Sequence, residues 1–194
     1  MNPRALLTFI ASLTLLHCAA AASTADAVAQ LHVAVDSVVK TAEHSSTNAG
    51  LAEKLRPLLE KYISFNTMTR RAVGPGWRQF SGPQQSDAIG LFTTLIIRTY
   101  AAKYVPGEHP VITYKSATSP APGQVEVPTT MVYNGSTYSV IYRMEQANGW
   151  QVTDIVAEGV SLVANYRAQF DSEFRKGGAS EVLAALNHSV GATK

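Results

Sequence analysis

The sequence has one cysteine, Cys18, and that residue lies inside a stretch that reads as an export signal. If it leaves with the signal, the mature chain has no disulfide, no thiol nucleophile and no thiolate metal site. Its stability must then come from packing. Charge is also scarce: charged residues are 15% of the chain and the formal net charge is +2. A balance so small, with both signs spread evenly, excludes the concentrated basic face that nucleic-acid binding requires. No internal apolar run reaches the length that crosses a bilayer. No glycine-rich phosphate cradle, nucleophile elbow or zinc-helix motif occurs, and Gly74-Pro75-Gly76 is followed by Trp77, not by a phosphate-binding lysine or hydroxyl. His32, His44, His109 and His188 are scattered, with no spacing that aims two of them at one metal.

What is present begins with Arg4, the apolar stretch Ala5 to Leu16 and the small residues Ala19 to Ala22. That layout predicts a signal peptide over residues 1–22, cleaved after Ala22 or as late as Ala27, and a single domain over 23–194 in the periplasm. A lipidated Cys18 fits less well, because His17 stands where lipid attachment favours a small residue.

Four helical stretches follow. Val28, Leu31, Val35, Val38 and Val39 make one face of a helix over Ala25–Ala42, and Leu51, Leu55, Leu58, Leu59 and Tyr62 do so over Ala49–Ile63, where Pro57 begins a turn or a bend. Asn66–Val73 is a short third piece, stopped at Gly74-Pro75-Gly76. Ser81 and Gln84 have capping-box spacing and open a fourth helix, Pro83–Tyr104.

After Pro106-Gly107 the period changes from helical to alternating. Strands are predicted over Val111–Ser116, Gln124–Tyr133, Ser136–Gln146 and Trp150–Ala157, with type I′ turns at Asn134-Gly135 and Asn148-Gly149. In the third of these strands Tyr138, Val140, Tyr142 and Met144 share one face, and Ser139, Ile141 and Arg143 the other. Helical spacing returns from Val160 to Gly177-Gly178 and again over Ser180–Leu186. The class is α+β: an antiparallel meander of four or five strands, covered by N- and C-terminal helices that enclose either a thick core or an apolar pocket.

Two carboxylates, Asp154 and Glu158, are the candidates for proton-transfer chemistry of the ketosteroid-isomerase kind. In the structural alternative Asp154 pairs with Arg143 or Arg167, and Glu158 helps to begin the next helix.

The segment Trp150-Gln-Val-Thr-Asp-Ile-Val-Ala-Glu-Gly-Val-Ser-Leu-Val-Ala-Asn-Tyr-Arg-Ala-Gln-Phe170 resembles the signature of the MlaC, or toluene-tolerance, family. Phe65-Asn-Thr-Met-Thr-Arg-Arg-Ala-Val-Gly74, then Trp77, then Thr99-Tyr100-Ala101, resemble it in order and spacing. The chain departs at Asn66 and Thr153, where the family often carries aspartate and tyrosine.

The resemblance implies a non-enzymatic periplasmic phospholipid carrier, an auxiliary component of an ABC transporter that maintains outer-membrane lipid asymmetry. Its implied partners are an inner-membrane ABC transporter complex with an MCE-type substrate-binding subunit and an outer-membrane lipoprotein–porin complex, the carrier itself acting as a monomer without cofactors. A related branch is associated with hopanoids, which leaves a polycyclic ligand as the alternative. Under this resemblance Trp77, Tyr100, Val132, Val140, Tyr142, Val152 and Tyr166 are the expected tail contacts. Arg143 and Arg167 are candidates for the pocket mouth or a partner surface.

Overall fold

A computed structural model of the chain describes residues 14–45, 47–106 and 108–193. Residues 1–13, where the expected export signal begins, and Gly107 of the predicted break lie outside the described residues. The first four helices are α1 (Thr14–Glu43), α2 (Asn48–Tyr62), α3 (Phe65–Val73) and α4 (Gly82–Ala101), with a 3-10 helix over Gly74–Gln79. Six strands follow among the described residues: β1 (Val111–Tyr114), β2 (Thr118–Ala121), β3 (Gln124–Tyr133), β4 (Ser136–Ala147), β5 (Gly149–Ala157) and β6 (Val160–Ser161). The helices α5 (Leu162–Gly177) and α6 (Ala179–Ala192) complete the α+β order read from the sequence.

Local chemistry explains most boundaries. Thr47 caps α2 by accepting from the Gly50 amide, and the predicted Ser81–Gln84 capping box forms in both directions at the start of α4. Pro57 neither starts a turn nor ends α2, which runs past it to Tyr62. The helix α4 stops three residues earlier than predicted, because the amides of Lys103 and Tyr104 turn back to the carbonyls of Tyr100 and Ala101 in tighter three-residue loops. No free turn follows α3: Pro75 leads directly into the 3-10 helix, after Gly74 at φ 67°. A Cβ on Gly74 would come within 2.1 Å of the Arg167 guanidinium, which donates to the Arg71 carbonyl at 3.0 Å and so satisfies part of the end of α3.

Two helices are longer than periodicity suggested. α1 begins at Thr14, not Ala25, since the alanine-rich residues before it are themselves good helix formers, and the expected cleavage point after Ala22 falls within it. α6 continues to Ala192 because it packs on α4, burying Val182 and Leu186, and Arg98 donates to the Val190 carbonyl at 3.3 Å.

The sheet is antiparallel, in the order β1-β3-β4-β5-β6, with β2 also paired to β3. The predicted meander is therefore present, extended by two short strands that lacked an alternating pattern long enough to read. Asn134 (φ 49°) and Gly135 (φ 72°) are both left-handed, as a type I′ turn requires. At Asn148-Gly149 only the glycine is (φ 102°), so the predicted I′ turn is absent there. Instead Glu158 (φ 50°) and Gly159 (φ 78°) form the second such turn, between β5 and β6.

The pairs Val125–Met144, Val127–Tyr142, Thr129–Val140 and Met131–Tyr138 place those side chains on one face of the sheet. Near one end α1 covers this face: Ala27 and Leu31 pack with Val125, Val127, Met144, Trp150 and Val152. A larger core lies among the helices around Phe92, Met68, Phe65 and Phe170, and Ile63 touches both cores.

Candidate functional site

Strand alternation brings Val140, Tyr142 and, through the Met144–Val152 pair, Val152 onto the face that α1 partly covers. Cover thins along it. Val152 and Val140 are buried, Met131, Tyr142 and Ile155 are half-buried, and Tyr138 is 37% exposed. The face thus passes from a sealed, mainly apolar core at one end to partial exposure at the other.

The other expected tail contacts sit elsewhere. Trp77 and Tyr166 belong to the helical core, Trp77 stacking on Phe80 at 5.6 Å and Tyr166 meeting Phe92 edge-on at 4.9 Å. Tyr100, on α4, is 49% exposed. Val132 pairs with Thr137 and Val111, which puts it on the opposite face of the sheet from Val140 and Tyr142, and it is 43% exposed. Sequence reasoning missed Tyr114 and Ile155, which join Tyr142 on the covered face through Thr129 and the Tyr142–Ile155 pair. Alternation within Val111–Tyr114 pairs Ile112 with Tyr114, but only the register assigns their face.

Tyr114 and Tyr142 belong to this face, and Tyr100 and Tyr166 to the helices. Burial pushes the hydroxyls of Tyr100, Tyr142 and Tyr166 above the ordinary phenol value, with the neighbouring Tyr100 adding to the effect on Tyr166. Tyr114 is pushed up to about 12, chiefly by burial and then by Tyr142 and Asp36. Tyr142 is desolvated and yet retains some accessible surface. Because the raised value favours the neutral phenol in the fold, Tyr114 contributes its full share of stability below its ordinary value of 10.0 and loses it as pH rises through about 12. Ultraviolet titration of tyrosinate should accordingly resolve a late-ionising phenol that vanishes in Tyr114→Phe.

On the opposite face Asp154 is 6% exposed. Its carboxylate accepts from Ser161 Oγ (2.6 Å), the amides of Ile155 (2.9 Å) and Val163 (3.1 Å), and Arg143 Nη1 (3.1 Å). A register shift lets Thr153 and Asp154 both be buried opposite Arg143 and Met144. Arg143 also donates to Glu126 at 2.9 Å. The expected Arg143–Asp154 pair therefore forms, whereas Arg167 pairs with Asp171 at 3.1 Å and not with Asp154 or Glu158. Glu158 does not begin α5, because Ser161 takes that role and caps Ala164. Glu158 is held in its turn, where its side chain accepts from the Ser139 amide.

A separate open cleft of about 560 Å³, lined by both polar and apolar side chains, lies between α2, α4 and α6 beside Arg56, Asp87, Leu91, Thr94, Leu183 and Asn187. Among the described residues no group of three histidine, cysteine or acidic side chains is placed to hold a metal, and no helix is long and apolar enough to cross a membrane.

The family model described as MlaC protein matches residues 30–188. A similar solved structure is that of a phospholipid-binding protein from Ralstonia solanacearum in complex with a phospholipid. It has a TM-score of 0.79 and 28% identity, covering 87% of this chain and 98% of that one. No curated protein matches the sequence significantly.

Proposed function

The chain belongs to the MlaC family, and from that premise we propose that it is a periplasmic phospholipid carrier and not an enzyme. The observation that carries this reading is the apolar sheet face, sealed by α1 at one end and left half-covered around Tyr142, Ile155 and Met131 at the other. Acyl chains in water cost about 0.8 kcal/mol per methylene, so a carrier must enclose most of each tail. The phosphate headgroup stays at the mouth, where its charge keeps its water. The proposed tail contacts are Val140, Tyr142, Ile155 and Val152 on the sheet. The phospholipid held by the similar Ralstonia solanacearum protein supports phospholipid as the ligand.

In this reading the export signal over residues 1–22 delivers the chain to the periplasm. There it moves lipid between an inner-membrane ABC transporter complex, through its MCE-type subunit, and an outer-membrane lipoprotein–porin complex. Against the enzymatic alternative stands Asp154, whose oxygens are occupied by four donors and which lies on the face away from the crevice. Organic extraction of the purified protein followed by mass spectrometry should recover phospholipid in near-stoichiometric amount. A protein that carries none and takes none up from phospholipid vesicles overturns the proposal.

A further inference from the structure

The covered sheet face holds a buried polar group with no partner among the described residues. Tyr114 Oη is buried without a hydrogen-bond partner, and the Tyr142 hydroxyl, on the same face, has no protein partner among the described residues while retaining access to solvent. Burial keeps both hydroxyls neutral, and the neighbouring Tyr142 adds to the effect on Tyr114, so both remain available as donors. His32 of α1 stacks on the Tyr114 ring with centroids 3.6 Å apart, which pins the ring and keeps its hydroxyl from turning out to water. An unmade hydrogen bond in an apolar setting destabilises a fold, and phenylalanine would fill the same space without that cost. The partner therefore comes from outside the chain.

The chemistry of that partner is restricted. A charged headgroup oxygen would lose its hydration in this setting, whereas a neutral carbonyl oxygen at the junction of two tails suits a neutral phenol. Resting on the carrier reading above, we propose that Tyr114 and Tyr142 donate hydrogen bonds to the acyl ester carbonyls of a diacyl phospholipid. The carrier thereby selects ester-linked lipids over ether-linked ones and over polycyclic hydrocarbons, which offer no such acceptor.

The test uses the full chain stripped of endogenous lipid. Dioleoyl phosphatidylglycerol and its di-O-oleyl ether analogue, alike in headgroup and tails, compete for it under native mass spectrometry. The wild type should favour the ester roughly fivefold. In Tyr114→Phe/Tyr142→Phe that ratio should fall to about one. Should the double variant fail to fold, each single variant reads the same ratio. Equal binding of the two lipids by the wild type, or a preference that survives in the variants, overturns the inference while leaving the carrier reading intact. Failure of the wild type to bind either lipid overturns both.

Discussion

Replacing Asp154 with alanine should lower the free energy of unfolding by about 3–5 kcal/mol, the range found when one partner of a buried charged network is removed. Little of that comes from the ion pair itself, since the Arg143 side chain is 45% exposed and a solvent-screened pair contributes about 1 kcal/mol or less. The larger part is the loss of acceptors for Ser161 Oγ and for the amides of Ile155 and Val163, left in a setting where water replaces them poorly. One of those amides belongs to the first turn of α5, where a carboxylate also complements the helix dipole. Asp154→Asn, which retains the shape and one acceptor oxygen, should lose about 1–3 kcal/mol. Urea titration followed by circular dichroism measures both. A variant as stable as the wild type removes the structural role, and loss of a chemical turnover at unchanged stability revives the proton-transfer alternative.

The second large effect is functional. Val140→Trp puts an indole on the covered face between Thr129 and Ala157, where valine is 5% exposed. Overpacking of this kind costs about 1–3 kcal/mol, which a folded domain can absorb. The added volume comes out of the space for tails, so co-purifying phospholipid should fall by about tenfold, equivalent to about 1.4 kcal/mol of lost binding. Val132→Trp, on the opposite face, is the matched control and should leave lipid content unchanged. Undiminished lipid in Val140→Trp would place the tails elsewhere, with the helical region around Tyr100 and Tyr166 the next to test.

Much of this architecture could be read from residue patterns because its causes are local. The Ser81–Gln84 box, the Asn134-Gly135 turn and the helix stop at Gly177-Gly178 depend on residues a few positions apart. Where a distant partner mattered, reading failed. Asn148-Gly149 carries the same dipeptide signal as Asn134-Gly135, but the pairing of Ala147 with Gly149 leaves no room for a two-residue loop. Glu158 could not be placed, because what it binds is an amide of the neighbouring strand.

The sequence by itself determined the class, the order of the elements, the tyrosine-rich alternation of β4 and the family. Only the tertiary structure decided which face of the sheet α1 covers, that Val132 and Val140 point apart, and that Tyr114 keeps a hydroxyl without a partner. Alternation reports that two sets of residues diverge, and a shift of one position in pairing exchanges them. That choice rests on contacts between α1 and strands about a hundred residues further along, which no local pattern encodes.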